Sequence, residues 1–158
     1  MKVVVQKVKY SKLWIKNKLV CSIDKGLMIL IGFKFLDNET LFEWFANKLV
    51  NLRIFNDDTG KMNLSVKDIS GSLMIISNFT LYGDVRKGFR PSYSSAMDPA
   101  SAKLLFNKFV DYLYKNYPNI NIQTGVFGEM MEIELLNDGP VTIIIEKSNS
   151  ENSEIIKN

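Results

Sequence analysis

In "SLMIISNFTLYG", three residues with hydrogen-bonding side chains, Ser77, Asn78 and Thr80, end an otherwise apolar run. Read as a strand, residues 72–83 would alternate faces, with Ser77 and Phe79 on one side and Asn78 and Thr80 on the other unless a bulge intervenes. Such a segment is either a strand emerging into solvent or the polar floor of a pocket. The second unusual stretch is "IELLNDGPVTIII", two apolar runs joined by Asn137-Asp138-Gly139-Pro140. Asn-Asp-Gly is a turn signal. Pro140, however, removes a backbone donor at the mouth of the second run and restricts Gly139. Local rules favour turn punctuation there, and leave open a role in shaping a site.

What these residues could do is narrowed by what the chain lacks. It contains no histidine and one cysteine, Cys21. No Ser-His-Asp or Cys-His arrangement can be assembled, in one subunit or in a homo-oligomer, and no Cys/His zinc cluster or internal disulfide is available. No side chain has an unperturbed pKa near 7 for general acid–base work. Cys21 lies in the apolar "LVCSI", where nothing nearby would stabilise a thiolate, and reads as packing. Carboxylates, hydroxyls and backbone groups remain. Asp57-Asp58 sit in "NDDTG", a common surface turn. Glu132 and Glu134 share a strand face, which reads as a wet sheet face. No phosphate-binding glycine fingerprint is present. Neither a metal nor an organic cofactor is expected.

A net charge of +3 permits contact with nucleic acid without arguing for it. The nearest approach to a basic patch is "DVRKGFRPSY", in which Arg86, Lys87 and Arg90 alternate with Phe89 and Tyr93. This is a solvated basic loop or a strip of phosphate contacts.

The elements that must position these groups follow from periodicity. Residues 2–8 alternate as a strand, 13–23 hold one or two more, and "GLMILIGF" is a buried strand with glycine near each end. In "NETLFEWFANKLVNLRIF" the spacing of Leu41, Phe42, Phe45, Leu49 and Leu52 predicts a helix capped by Asn38 or Thr40. A second helix opens with Asp98-Pro99, an N-cap followed by proline at the first position, and Pro118 marks its end. "NIQTGVFGEMMEIELL" predicts strand, glycine turn, strand. With 46% hydrophobic residues, no apolar run of roughly 18 and no interdomain linker, one domain is expected over 1–147, with a polar, disordered tail at 148–158. "MKVVVQKVKY" reads as a strand and not a signal peptide, so a cytoplasmic location and no membrane contact are expected. The fold class is α+β: curved, barrel-like β-sheets with two main helices packed on one side.

With these motifs in place, the chain resembles the D-aminoacyl-tRNA (D-tyrosyl-tRNA) deacylases. "ISNFTLYGDVRKGFRPSYS" is similar to one signature of that family, and "LLNDGPVTI" to its Asn-x-Gly-Pro-Val-Thr signature. "NLRIFNDDTGKMNLSV" and "IQTGVFGEMMEIEL" match family segments in order and spacing, so that the resemblance spans about residues 1–146. It implies hydrolysis of the ester joining a D-amino acid, or glycine mischarged on tRNA(Ala), to the 3′-terminal adenosine of tRNA. It also implies a homodimer with sites at the subunit interface. There a cis Gly139-Pro140 peptide would enter the partner's pocket and exclude L-side chains. Ser77 and Thr80 map onto the family's strand-end hydroxyls. With no histidine to activate Thr80, attack by water assisted by the terminal ribose 2′-hydroxyl is the favoured route. The Phe79 N–H is the candidate for stabilising the oxyanion. Asn78 and Asn137 fall on the substrate side. Phe127 and Met131 align with adenine-contacting positions, although by pattern alone both read as core.

Two departures stand out. Asn78 replaces the family's usual glutamine, and Lys7 replaces an arginine near the Gly-Pro region, where lysine cannot form a planar bidentate fork. Two other readings are carried alongside: a non-catalytic nucleic-acid-binding protein on the same fold, and a related deacylase with a trans Gly-Pro acting on L-alanyl-tRNA.

Overall fold

A computed structural model describes residues 1–149. The chain begins with a 14-residue strand, β1 (Lys2–Ile15), followed by β2 (Lys18–Ile23) and β3 (Gly26–Gly32). The β1–β2 hairpin turns on Lys16 and Asn17, both at positive φ (50° and 62°). This is the backbone sense that matches strand twist in a two-residue loop. A 3-10 turn (Glu39–Leu41) leads into α1 (Phe42–Asn51). Next come the short hairpin strands β4 (Phe55–Asn56) and β5 (Met62–Leu64), β6 (Ser72–Ser77), a 3-10 turn (Phe79–Tyr82), α2 (Pro99–Asn116), β7 (Asn121–Thr124) and β8 (Glu132–Glu146).

The main sheet runs β2-β1-β3-β6-β7, with β8 pairing along the other side of β1. Pairs β3–β6 and β6–β7 are parallel, and α1 and α2 are their crossovers. Curvature brings β2 back toward β7, where the Cys21 thiol lies 3.5 Å from the Thr124 carbonyl, so the sheet is nearly closed. Burial holds that thiol above its ordinary pKa, consistent with packing.

Both helices cover one face of the sheet. Val3, Val5, Ile29, Ile31 and Ile75 meet Phe45 and Leu49 of α1 and Phe106, Phe109 and Leu113 of α2 in one core. Phe42 and Phe109 contact across the two helices at 5.2 Å between ring centroids. Full burial of a side chain the size of Phe109 contributes about 2–3 kcal/mol. A smaller core of Val8, Leu13, Ile23, Met28, Met74 and Ile76 fills the opposite, concave side. The single-domain α+β architecture, with a barrel-like sheet and two helices on one side, is the one the periodicities indicate. Asn38 is the cap before α1, its side chain accepting from Thr40 N, and Asp98 caps α2 by accepting from Ser101 N.

Four boundaries differ from the sequence reading. β1 continues to Ile15, past the expected 2–8 and into the stretch 13–23, because its second half pairs with β2 and β8. The strand expected over 72–83 ends at Ser77, because Asn78 redirects the chain into a 3-10 turn. The two runs around Gly139-Pro140 form one strand and not two separated by a turn, because both pair with β1. Ser148 is buried and the Asn149 side chain donates to the Leu36 carbonyl at 3.0 Å, so the first two residues of the expected tail are packed. The rest of that tail, 150–158, lies outside the described residues. No described helix is long and apolar enough to cross a membrane.

Candidate active site

Parallel strands leave a crevice beyond their carboxyl ends, where the connecting segments diverge. Here β3 and β6 finish side by side, with Ile31 opposite Ser77. The crevice is a mostly apolar cleft of about 340 Å³, lined by Ile31, Gly32, Ser77, Asn78, Phe79, Phe127 and Met131 among others. That volume lies near the lower end for small-molecule sites and fits one nucleoside-sized group. Met97 and Ala102, from the approach to α2 and its first turn, close one side.

The polar end of the cleft is built by Asn78. Its N–H donates to the Ile31 carbonyl at 2.7 Å, fixing β6 to β3 beyond the last strand pair. Its side-chain oxygen accepts from Thr80 N at 3.0 Å and from the Thr80 hydroxyl, capping the turn over Phe79–Tyr82. As the first residue of that turn, Phe79 has an N–H with no acceptor inside it. Gly32 makes the close approach possible: a Cβ there would lie 2.9 Å from the Asn78 carbonyl oxygen.

The Asn78 cap separates the predicted polar group. Ser77, Asn78 and Phe79 line the cleft, whereas Thr80 does not, and its hydroxyl is a donor committed to Asn78. Ser77 is half-buried, and its hydroxyl has no hydrogen-bond partner among the described residues. Phe127 and Met131 both line the cleft, with Phe127 braced on Phe106 of α2 at 6.1 Å between ring centroids. Glu129 is the one ionisable side chain among the lining residues. No cluster of three or more His, Cys, Asp or Glu arranged to hold a metal ion occurs among the described residues.

Gly139 and Pro140 are exposed and do not line this chain's cleft. Their peptide bond is cis, as the resemblance implies, and Gly139 sits at φ 131°, a region glycine occupies readily. Pairing explains the protrusion: Val8 faces Asn137 and Gln6 faces Thr142, so residues 138–141 of β8 stand opposite the single residue Lys7. Asn137 braces the protrusion by accepting from Val141 N at 3.0 Å, and does not reach the cleft. The Lys7 ammonium, almost fully buried, lies 3.3 Å from an Asp138 oxygen and 6.0 Å from the Phe55 ring centroid.

The basic strip is also divided. Arg86 forks onto Asp84, Nη2 donating at 2.6 Å and Nε at 2.9 Å, and holds that carboxyl down to about 2. Lys87 and Arg90 are exposed and unpaired among the described residues. Sequence reasoning passed over Gly32, Ile31 and Met97. The signal of Ile31 and Gly32, an apolar run with glycine at its end, is indistinguishable from core, and Met97, a single apolar residue before the α2 cap, carries none.

Residues 4–146 match the family model described as D-Tyr-tRNA(Tyr) deacylase. The chain is 49% identical to a D-aminoacyl-tRNA deacylase of Thermosipho africanus over 146 residues, covering 92% of this chain and 97% of that one. It is 46% identical to the Flavobacterium psychrophilum protein of the same name, covering 96% and 100%. Among solved structures, the c-Myc DNA Unwinding Element Binding Protein superposes with a TM-score of 0.88 at 35% identity over 93% of this chain and 99% of that one. A probable eukaryotic D-amino acid tRNA deacylase shares the fold, with a TM-score of 0.77 at 15% identity over 91% and 97%.

Proposed function

This chain belongs to the D-Tyr-tRNA(Tyr) deacylase family and is a deacylase, and on that premise we propose how its cleft performs the reaction and selects its substrate. The terminal adenosine of the tRNA enters the cleft, its base against Phe127 and beside Met131. The aminoacyl ester then lies over Ser77, Asn78 and Phe79. The observation that carries this reading is the capped turn at Asn78, which leaves an unoccupied N–H at Phe79 on the polar end of an otherwise apolar pocket.

Water attacks the ester carbonyl carbon, and the oxyanion that forms is met by the Phe79 N–H. The bond to the ribose oxygen breaks, that oxygen leaves with a proton, and the free amino acid and tRNA are released. The ribose 2′-hydroxyl guides the water. Thr80, bonded to Asn78 and outside the cleft, serves the turn and not the attack. Ser77 orients the carbonyl.

Gly139 and Pro140 act as a chiral wall in the cleft of a second copy. An excluding wall must stand inside a cleft, and these residues bulge from β8 without lining their own. A homodimer with shared sites follows, supported by Leu136 and Ile144 exposed on the same strand. The main-chain wall excludes L-side chains and passes D-amino acids and the glycine mischarged on tRNA(Ala). The test is direct: the protein should release D-tyrosine and glycine from charged tRNA and leave L-tyrosyl-tRNA intact. Equal hydrolysis of both enantiomers would refute the wall.

A second reading, nucleic-acid binding without catalysis, is favoured by the name of the 35%-identical structure and by the basic loop. It predicts binding that is indifferent to the aminoacyl group and steeply weakened by salt.

A further inference from the structure

We infer that the hairpin over residues 84–92 is a second RNA-binding element, which holds the single-stranded nucleotides immediately 5′ of the terminal adenosine. The inference rests on the deacylase reading for the placement of that adenosine.

The hairpin is built at its root and bare at its tip. Asp84 and Ser92 exchange backbone hydrogen bonds of 2.8 and 2.9 Å, which close it. The incoming strand leaves directly from the turn that carries Phe79. On the return, Tyr93 packs edge-on against Phe79 at 5.0 Å between ring centroids. Met97 then donates to the Phe33 carbonyl at 3.0 Å, and both residues line the cleft. The stem is therefore part of the cleft's rim. From the Asp84–Ser92 pair the tip at Gly88 is four residues away, a reach of at most about 13 Å. That is the neighbourhood through which a strand with its last nucleoside in the cleft must pass.

The tip carries the chemistry a single strand requires. Phe89 is fully exposed, with Lys87 and Arg90 on either side and Val85 also exposed. An unsupported aromatic flanked by two cations offers a base a stacking face and its phosphates two charges. The residues from Asp84 to Arg90 carry one acidic and three basic side chains, a net of +2. Because Arg86 is clamped by Asp84, its charge is cancelled at the root, and both uncancelled charges stand at the tip beside Phe89. Stacking is tolerant of sequence, so this element should serve the 3′ ends of many tRNAs alike.

The test measures two quantities on the full chain. The first is kcat/KM for D-tyrosyl-tRNA relative to the D-tyrosyl ester of adenosine, which ends at the cleft. Phe89→Ala should lower this ratio about tenfold, and Lys87→Ala with Arg90→Ala should lower it further. The second is the salt dependence of binding to uncharged tRNA. The double variant should flatten the log–log slope by about 1.4, two single-strand phosphate contacts at about 0.7 each. Asp84→Asn, which frees Arg86, should steepen it. Variants that lower activity on both substrates in parallel, or that leave the ratio and the slope unchanged, would overturn the inference. If the wild type hydrolysed neither substrate the deacylase reading would fail, and the salt slopes alone would then decide for or against the hairpin.

Discussion

The buried ammonium of Lys7 lies 3.3 Å from the carboxylate of Asp138, the residue that immediately precedes the cis Gly139-Pro140 peptide. Lys7 is the single β1 residue opposite the four-residue protrusion, so this ion pair is positioned to hold the protrusion against the sheet. Removing Asp138 strands a charge among apolar neighbours, including Phe55. Because Asp138 is about a third exposed, the loss is smaller than for a fully buried pair. Asp138→Asn should destabilise by about 1–3 kcal/mol in urea unfolding. It should also raise the rate on L-tyrosyl-tRNA relative to the D-form, and Lys7→Met should do the same. A preserved D/L ratio in both variants would show that the pair has no part in selection.

Asn78 and Thr80 should differ in the opposite sense from a nucleophile reading. Thr80→Ala removes a hydroxyl that donates to Asn78 outside the cleft, while the cap to Thr80 N survives. Its kcat/KM should fall less than about tenfold, since one cap-side hydrogen bond contributes about 1 kcal/mol. Asn78→Ala deletes the cap itself, costs about 1 kcal/mol of stability, and releases the turn that aims the Phe79 N–H. Removing an oxyanion donor costs about 10²–10³ in kcat, so its rate should fall well beyond that of the Thr80 variant. An acyl-enzyme trapped on Thr80 of the wild type would contradict the ranking.

How far the sequence carries can be seen at these same positions. Alternation in 2–8 and the Asp98-Pro99 cap are local signals: the cap gave the start of α2, and the alternation gave the start of β1 but not its continuation to Ile15, where pairing with β2 and β8 carries the strand on. The path after Ser77 was misread as strand. Asparagine can accept from the N–H two residues on as readily as it can sit in a ladder, and only β3 alongside, with its carbonyl at Ile31, decides between them. The reading of Asn137–Pro140 as turn punctuation between two strands failed for a related reason. A turn signal specifies a protrusion but not the partner of its flanking strands, and here both flanks found β1. Phe127 and Met131 looked like core because they half are: Phe127 rests on Phe106 and Met131 packs against the smaller core. Gly32 looked like the end of a buried strand, whereas its importance lies in the Asn78 carbonyl oxygen, an atom distant in sequence.

The Asp84 carboxyl should make the hairpin root insensitive to pH over the working range. Arg86 depresses its pKa to about 2, below the ordinary carboxylate value near 3.8. A depressed folded-state value means that the clamp is fully formed above the unfolded pKa and is lost as pH falls toward the folded one. The Arg86 Nε–H signal in NMR should therefore stay fixed from pH 8 to 5 and move only below about pH 4. Movement between pH 5 and 7 would mean that Arg86 is not clamped.

Phe127 should separate binding from chemistry. Its ring lines the cleft from the loop between β7 and β8, a different element from the turn that carries Asn78 and Phe79, so truncation removes a stacking surface and leaves the capped turn in place. Phe127→Ala should raise KM for D-tyrosyl-tRNA by about 5- to 100-fold, the range for one lost base–aromatic stack. In the same variant kcat should change by less than about threefold, because an interaction equal in ground and transition states affects KM alone. Phe127→Tyr should behave as wild type, since it keeps the ring. A fall in kcat with KM unchanged would place the ring at the ester and not at the base.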